Sequence, residues 1–563
     1  MIESPFEEWL HNTPPINKLP EDVVAEIRSF AEDQVDRIHE LVKIGMALSA
    51  EKKLDRLLEM IISEARRFTN ADGGTLYIKS EDEEALEFMI IQNDSLNVRM
   101  GGSGQQISWP KIPLQMADGK ENHRNVSAHC ALVGKAINIA DVYNAEGFDF
   151  QGTKDFDKTT GYRSKSMLLI PMRDHEDEVI GVLQLLNAKD LKTGEVVSFP
   201  EQDITDTTSL ASQAAIAITN MRLVKGLENL LDAFLRVIAA AIDEKSPYTA
   251  GHVQRVAELT EKLASVVDGV EEGEFAGVHF NSDELTEIKM AAWMHDVGKI
   301  TTPEYVVDKA TKLQTIFDRI ELLRCRIEIL KKDAEIRRLQ SCLAQEADQC
   351  ERPATETMVL DRDMEFLEKV NFGSEFMDEE SIERLMELSS IALEVGDKKI
   401  SLLDSDELNN LIIRKGTLTA SERSIINNHV SVTIKMLETL PFPRKLSNVP
   451  RYAGMHHEKL DGSGYPRGFA GEEIPAAARM LAIADVFEAL TAADRPYKKG
   501  KLLSESMRIL EFMVKDGHLD GNLCDLMVES GLVEEYSRNV LAERQRDDFV
   551  WKGKVYKVSG EAK

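Results

Sequence analysis

Residues 166–189 read SMLLIPMRDHEDEVIGVLQLLNAK. Two short runs rich in strand formers flank a charged turn, which is the pattern of neighbouring antiparallel strands. Upstream, GGTLYIKS (73–80), ALEFMIIQN (85–93) and AINIADV (136–142) repeat the signal. Ahead of these, the apolar residues from Ile38 to Ile62 recur at helical spacing. Residues 38–204 therefore read as an α+β domain, an antiparallel sheet with flanking helices. Residues 1–37 read as an N-terminal arm in which Pro20 supplies a helix start.

Beyond the strands the period changes. Between Thr205 and Asp243 there is no Pro and only Gly226, while Ala214, Ala217, Met221, Val224, Leu231, Leu235, Ile238 and Ile242 keep a 3- and 4-residue alternation interrupted by Glu228. Residues 205–242 are thus expected to form a connecting helix that pairs as a coiled coil between two copies of the chain, making a homodimer. From Asp243 onward the chain reads as almost entirely helical, broken by GK, GSGYP and PFP turns. Within it, residues 311–410 carry a one-faced stripe of Ile316, Ile320, Leu323, Ile327 and Leu330 among charges. They read as an inserted helical hairpin between two parts of one all-α domain, 243–310 and 411–548, with 549–563 as a C-terminal tail. The expected fold is multidomain: α+β, then a long helix, then all-α with an insertion.

The 563 residues exceed what one core supports. A net charge of -30 argues against a nucleic-acid polymer as partner, because polyanions are bound through clustered Lys and Arg. No window approaches the roughly 18 apolar residues of a membrane span, and MIESPFEEWLHN lacks a secretory pattern. A cytoplasmic protein without membrane insertion is expected. Cys130, Cys325, Cys342, Cys350 and Cys524 are odd in number and without CxxC spacing. Free thiols are expected.

The chemistry-bearing residues of the helical half are seven candidate metal ligands: His252, His295, Asp296, His429, His456, His457 and Asp485. His252 shares a helix face with Val256, Leu259 and Leu263, and Asp485 sits in the nearly apolar ARMLAIADVFEAL. An unpaired carboxylate there costs several kcal/mol, and a cation would compensate it. The adjacent Asp296 has two oxygens and can bridge two ions, whereas the imidazole of His295 binds one. Pairs of ions about 3.5–4 Å apart are typical of hydrolytic sites of this kind. Thr419 and Glu422 form a capping box ahead of His429.

Two resemblances follow from these stretches. FDFQGTKDFDKTTGYRSKSMLLIPMRDHEDEVIGVLQLLNAKD and SFPEQDITDTTSLASQAAIAITN resemble a GAF domain, a small-molecule sensor module. Lys158, Thr160, Gly161, Tyr162, Arg163, Asn187, Lys189, Phe199 and Asp203 match its cyclic-nucleotide-binding branch, although Ile204 stands where an acid usually follows. The implied partner is a small ligand, in that branch a cyclic nucleotide. YTAGHVQRV, MHDVGKI, GTLTASERSIINNHV, HHEKLDGSGYPRGF and ARMLAIADVFEALTAADRPYKK are similar, in order, to the HD-GYP family of cyclic di-GMP phosphodiesterases in the HD phosphohydrolase superfamily. HHE followed by DGxGYP marks that branch. The resemblance implies His252, His295, Asp296 and Asp485 on one metal, His429, His456 and His457 on a second, and Asp296 bridging. Some relatives add a third ion through a carboxylate where Tyr248 stands here, so two are expected. Nitrogen and oxygen ligands suit iron or manganese, with iron implied first.

Lys299 follows His295 by four residues and, if the helix persists, lies on the same side, where it can contact a phosphate. Gly462 and Gly464 free the loop before Pro466 to approach a ligand closely. Tyr465 is a candidate hydrogen-bond donor, and Arg495 and Lys498 are candidate cations for the second phosphate, with Asp494 an extra residue before the arginine. Relatives use these positions so. The implied activity is metal-dependent hydrolysis of cyclic di-GMP to pGpG and on to GMP, with Asp296 and Lys299 as catalytic residues. Two rival readings are a receptor that binds the cyclic dinucleotide without turnover, favoured by the insertion, and a phosphodiesterase for a mixed substrate such as cyclic GMP-AMP.

Overall fold

A computed structural model describes residues 20–245, 251–343, 353–373, 376–492 and 500–558. The chain divides into two compact units with the boundary between Leu230 and Leu231.

The first unit opens with two helices, α1 (Glu21–Ala50) and α2 (Leu54–Thr69). Eight antiparallel strands then form one sheet, β1 (Ala71–Lys79), β2 (Ala85–Asn93), β3 (Val98–Gly101), β4 (Ile112–Pro113), β5 (Ile137–Ile139), β6 (Met167–Arg173), β7 (Val179–Lys189) and β8 (Val196–Val197). Its order is β3-β2-β1-β7-β6-β5, with β4 on β2 and β8 on β7. Two short helices, α3 (Val126–Val133) and α4 (Gln151–Thr160), lie between strands, and α5 (Glu201–Lys245) follows them.

The two-residue period sends side chains to two different cores. Leu76, Ile78, Leu168, Ile170, Leu183 and Leu185 pack with Leu57, Leu58, Ile61 and Ile62 of α2 and Leu210, Ala214 and Ile218 of α5. Their alternates Tyr77, Met167, Leu169 and Val182 pack with Val126, Ala128 and Phe150 on the opposite face. Gly181 has a packing reason, since a Cβ there would sit 2.3 Å from the Tyr77 carbonyl oxygen of the neighbouring strand.

The expected arm and sensor meet at residue 37, but α1 runs unbroken through it. The connecting helix begins at Glu201 and belongs partly to the sheet's core. Its expected coiled-coil stripe is used differently. Ala214 is buried in the first unit's core, whereas Leu235 and Ile242 are buried in the second unit's core beside Met290, Ala291 and Met294. Val224 and Leu231 of the same stripe are exposed, so only part of it is taken up by the two cores.

The second unit contains α6 (His252–Asp268), α7 (Ser282–Met294), α8 (Glu304–Val307), α9 (Ile320–Leu343), α10 (Pro353–Asn371) and α11 (Glu379–Ser390). The hairpin β9 (Ala392–Val395) and β10 (Lys398–Ser401) follows. Next come α12 (Ser405–Leu411), α13 (Ala420–Glu438), α14 (Val449–Ala453), α15 (Ala476–Thr491), α16 (Leu503–Lys515), α17 (Gly521–Glu529) and α18 (Leu532–Val540), and a last hairpin, β11 (Phe549–Trp551) and β12 (Lys554–Tyr556). The main core joins α6, α7, α15, α16, α17 and α18 with Phe549 and Trp551.

The insertion is therefore more than a helical hairpin. Leu323, Ile327, Leu360, Leu367, Leu385, Leu402 and Leu411 give it a core of its own, and it includes two strands. Both β-hairpins of this unit are marked by two-residue turns. Gly396 takes a positive φ, as do Lys552 and Gly553 together, the conformations that tight hairpins require. Ile316, expected on the buried stripe, is 98% exposed. Among the cysteines, Cys130, Cys325 and Cys524 are free, but Cys342 is disulfide-bonded, which corrects the expectation of free thiols throughout.

Candidate metal centre

Five segments of the second unit converge. His252 is the first residue of α6, after Gly251 in a left-handed conformation. His295 caps the C-terminus of α7, whose start is fixed by an Asn281–Glu284 capping box. His429 lies in the middle of α13 behind the Thr419–Glu422 capping box. His456 and His457 occupy the turn after the five-residue helix α14. Asp485 stands in α15, where nearly every neighbour from Met480 to Phe487 is buried.

The structure brings all seven residues into one cluster, six of them buried and His457 half-buried. The potential ligand atoms of His252, His295 and Asp296 lie within 4.8 Å of one another, as do those of His429, His456 and His457. Ring centroids of His295 and His456 are 4.9 Å apart, and those of His429 and His457 are 5.3 Å apart. Asp485 Oδ1 is 3.3 Å from His252 Nε2 and 3.9 Å from His295 Nε2. Asp296 faces both groups: Oδ2 lies 3.6 Å from His252 Nε2 and 3.2 Å from His295 Nε2, and Oδ1 lies 3.3 Å from His429 Nε2.

Hydrogen bonding decides what these imidazoles present. Nδ1 of His295, His429 and His456 bonds the carbonyl three residues earlier, that of Ala292, Ile426 and Ala453, at 2.7, 2.5 and 2.6 Å. A carbonyl only accepts, so each Nδ1 carries a proton, and a ring of that tautomer turns a bare Nε2 lone pair inward. Those three Nε2 atoms are buried without a hydrogen-bond partner. Lone pairs facing a carboxylate repel unless something positive lies between them. The donor set therefore fits divalent cations, and second-sphere bonds to Nδ1 of this kind orient metal-binding imidazoles.

Electrostatics separate the imidazoles: against burial, the carboxylates of Asp296, Asp485 and Glu488 raise His252 well above the usual imidazole pKa. Burial and neighbouring histidines hold His456 well below the usual imidazole pKa, and burial brings His457 down to about 4, so both are neutral at pH 7. Burial opposes ionisation of Asp296, but Lys299, His295 and His252 outweigh it and keep the carboxyl well below the ordinary range. Asp485 is lowered likewise, chiefly by His252 and His295 against burial.

Two residues outside the sequence reading complete the cluster. Glu488, one turn beyond Asp485, accepts from His252 Nδ1, and its other oxygen accepts from Arg255 Nε at 2.7 Å. A second carboxylate in an otherwise apolar helix was the available signal, of the same kind that singled out Asp485. Thr433 joins α13 to the His295–Gly298 turn, donating to the His295 carbonyl at 3.1 Å and accepting from Gly298 N at 3.0 Å.

The helix does not persist to Lys299. Residues Val297–Thr301 form a 3-10 turn, which places the ammonium 2.5 Å from Asp296 Oδ2 at the edge of the cluster. Glu458 holds the following loop by accepting from Arg467 N at 2.8 Å and Phe469 N at 3.1 Å. Gly462 takes φ +78°, whereas Gly464 is needed for space, since a Cβ would lie 2.4 Å from Lys459 N. Tyr465 thereby sits against His457, ring centroids 4.8 Å apart. Burial, Asp485 and Asp296 push its phenol upward, so it stays a donor. Arg495, Lys498 and Asp494 lie outside the described residues, as does Tyr248.

In the first unit, four of the residues matching the nucleotide-binding branch, Tyr162, Asn187, Lys189 and Asp203, are engaged by other side chains of the domain. Tyr162 donates to Asp72 at 2.7 Å, Lys189 pairs with Asp72, and Asn187 donates to Tyr162 at 2.9 Å. Asp203 pairs with Arg37 at 3.2 Å. Among the described residues no helix is long and apolar enough to cross a membrane.

A family model for the GAF domain matches residues 53–218, and one for the HD domain matches residues 386–523. The second match contains His429, His456, His457 and Asp485. His252, His295 and Asp296 precede it and join them only in three dimensions. Over 133 residues the chain is 40% identical to 3'3'-cGAMP-specific phosphodiesterase 1 of Vibrio cholerae serotype O1, covering 24% of this chain and 30% of that protein. Over 163 residues it is 34% identical to a cyclic di-GMP phosphodiesterase of Thermotoga maritima, covering 26% of this chain and 44% of that protein. The chain thus spans less than half the length of either relative. A solved GAF domain from an Acinetobacter phosphoenolpyruvate-protein phosphotransferase is similar at 14% identity and TM-score 0.25, covering 34% of this chain and 97% of that one. An HD domain implies divalent-metal binding, and the two His/Asp groups could hold it. The chain is a multidomain protein that joins a GAF domain to an HD domain.

Proposed function

We propose that the chain is a metal-dependent phosphodiesterase that hydrolyses cyclic di-GMP to linear pGpG, with a second cut giving GMP, under the control of its GAF domain. The observation that supports this most is the orientation of Asp296, one oxygen toward His252 and His295 and the other toward His429, among Nε2 atoms that lack a hydrogen-bond partner. In this reading His252, His295, Asp296 and Asp485 hold one ion, His429, His456 and His457 hold the second, and Asp296 is shared. Two divalent ions, iron ahead of manganese, would acidify water and neutralise charge on the phosphate oxygens.

The chain's own residues supply the rest. Lys299, held on Asp296, offers an ammonium to the substrate phosphate. Tyr465 donates its hydroxyl from above His457. Arg495 and Lys498 are assigned to the second phosphate, and the loop fixed by Glu458 orients the dinucleotide. Residues 38–204 act as sensor, 205–242 as connector in a homodimer, and 243–310 with 411–548 as the catalytic domain. The sensor's small ligand is assigned to the cyclic-nucleotide class.

A second substrate, 3'3'-cGAMP, is favoured by the name of the Vibrio cholerae relative. Purified protein reconstituted with Fe(II) or Mn(II) is offered each dinucleotide alone and both in competition, with products separated by chromatography. Linear product from cyclic di-GMP, competitive with cGAMP, is the expected result. Binding of either dinucleotide without product under both metals rejects the enzyme reading in favour of a receptor.

A further inference from the structure

The second unit holds a cavity of about 530 Å³ that is separate from the candidate metal centre. None of the seven candidate ligands lines it, nor does Lys299 or Tyr465. Its floor forms where α14 meets α13. Gly454 allows that approach, since a Cβ there would lie 2.4 Å from Ile434 Cγ1. One wall is the loop after Pro466, which Glu458 holds through the backbone N–H groups of Arg467 and Phe469. The volume falls within the roughly 300–1,000 Å³ of small-molecule sites.

The lining selects a ligand. Arg451 and Arg467 both face the cavity and are exposed. Arg451 Nη2 donates to the Glu473 carbonyl at 3.3 Å, which steadies the guanidinium without neutralising it. The Arg467 side chain has no hydrogen-bond or ion partner among the described residues. In a chain of net charge -30 an anion has to be held by such a local pair, and the planar fork of a guanidinium suits a phosphate. Half-buried Phe469 packs with buried Met455 in one small apolar cluster, which gives a flat base an aromatic ring to stack on.

The acids of the cavity decide which base. Glu473 has one oxygen committed to Ala470 N at 3.0 Å. Glu438, exposed in the last turn of α13, has no hydrogen-bond or ion partner among the described residues. A carboxylate only accepts. Guanine offers it two adjacent donors, N1–H and the N2 amino group, whereas adenine presents an acceptor at N1 that a carboxylate repels.

We infer that this cavity binds a guanine mononucleotide, with the phosphate on Arg451 and Arg467, the base against Phe469 and Met455, and Glu438 on N1–H and the N2 amino group. The assignment does not depend on which reaction the metal centre carries out. The elements that form the cavity also carry His429, lead into His456 and His457, and include the loop of Tyr465, so an occupant touches the scaffold of the centre without entering it.

The test is equilibrium dialysis of 5'-GMP and 5'-AMP against the full chain. One GMP per chain is expected, with AMP weaker by about tenfold or more. Arg451→Ala and Glu438→Ala, both at exposed side chains and both expected to melt as wild type, should each weaken GMP by about tenfold or more, and Glu438→Ala should also remove the preference over AMP. His295→Ala with Asp296→Ala should leave GMP affinity within about twofold of wild type. No GMP bound at millimolar concentration, or binding unchanged in both Arg451→Ala and Glu438→Ala, overturns the site. Loss of binding in the His295–Asp296 double variant places the nucleotide at the metal centre and overturns it as well. Equal affinity of the wild type for GMP and AMP overturns the assignment of the base. None of these results bears on hydrolysis, which is measured separately.

Discussion

His252 differs from the other histidines of the centre because it opens its helix. His295, His429 and His456 each have a carbonyl three residues earlier to hold Nδ1, and the first residue of α6 has no such carbonyl within its helix. Glu488 takes that place, itself gripped by Arg255. Replacing Glu488 with Ala frees the ring to rotate and removes the acceptor that favours a bare Nε2. The expected effect is a loss of about 10- to 100-fold in Mn(II) affinity, read by titrating metal-free protein and following free Mn(II) by paramagnetic resonance. Affinity within twofold of wild type would show that His252 is held by packing alone. His252 and Asp485 stood out in the sequence because an imidazole and an acid stood on apolar helical faces, whereas the grouping of all seven candidates came with the family resemblance. Glu488 was missed since one carboxylate already accounted for the cost of that helix.

At the scale of elements, the centre depends on how closely the His295–Asp296 turn approaches α13. A Cβ at Gly298 would lie 2.0 Å from the His429 carbonyl oxygen and 2.7 Å from Thr433 N, both backbone atoms that cannot rotate away. Gly298→Ala must therefore push the turn off the helix that carries His429. A destabilisation of about 1–3 kcal/mol is expected from overpacking, together with loss of metal from a chain whose first unit still melts normally, checked by calorimetry and metal analysis on one sample. Wild-type melting and metal content would contradict the packing argument.

Elements were unevenly legible. The strands from 71 to 93 and from 167 to 189 announced themselves by alternation. The hairpins at 392–401 and 549–556 have strands of three or four residues, too short to show a period, and only their turn residues mark them. Lys299 was placed by assuming α-helical spacing, whereas the chain tightens to a 3-10 turn after His295. On α5, periodicity gave one apolar stripe, and period alone does not separate the residues that a core absorbs, Ala214, Leu235 and Ile242, from those left exposed, Val224 and Leu231.

For the molecule as a whole, a GAF domain and an HD domain share one chain, and the proposed chemistry resides in the second. Its candidate ligands come from positions as distant as His252 and Asp485, with an insertion carrying its own core between them. Such a centre forms only when the helical unit folds, and metal binding should stabilise that unit. The most direct measurement is metal per chain by elemental analysis of protein purified without oxygen, for wild type and for His295→Ala with Asp296→Ala. Two divalent ions are predicted in the wild type, fewer than half an ion in the double variant, and an intact first unit in both. Equal metal content in the two proteins, or phosphodiesterase activity retained by the variant, would contradict the two-metal centre.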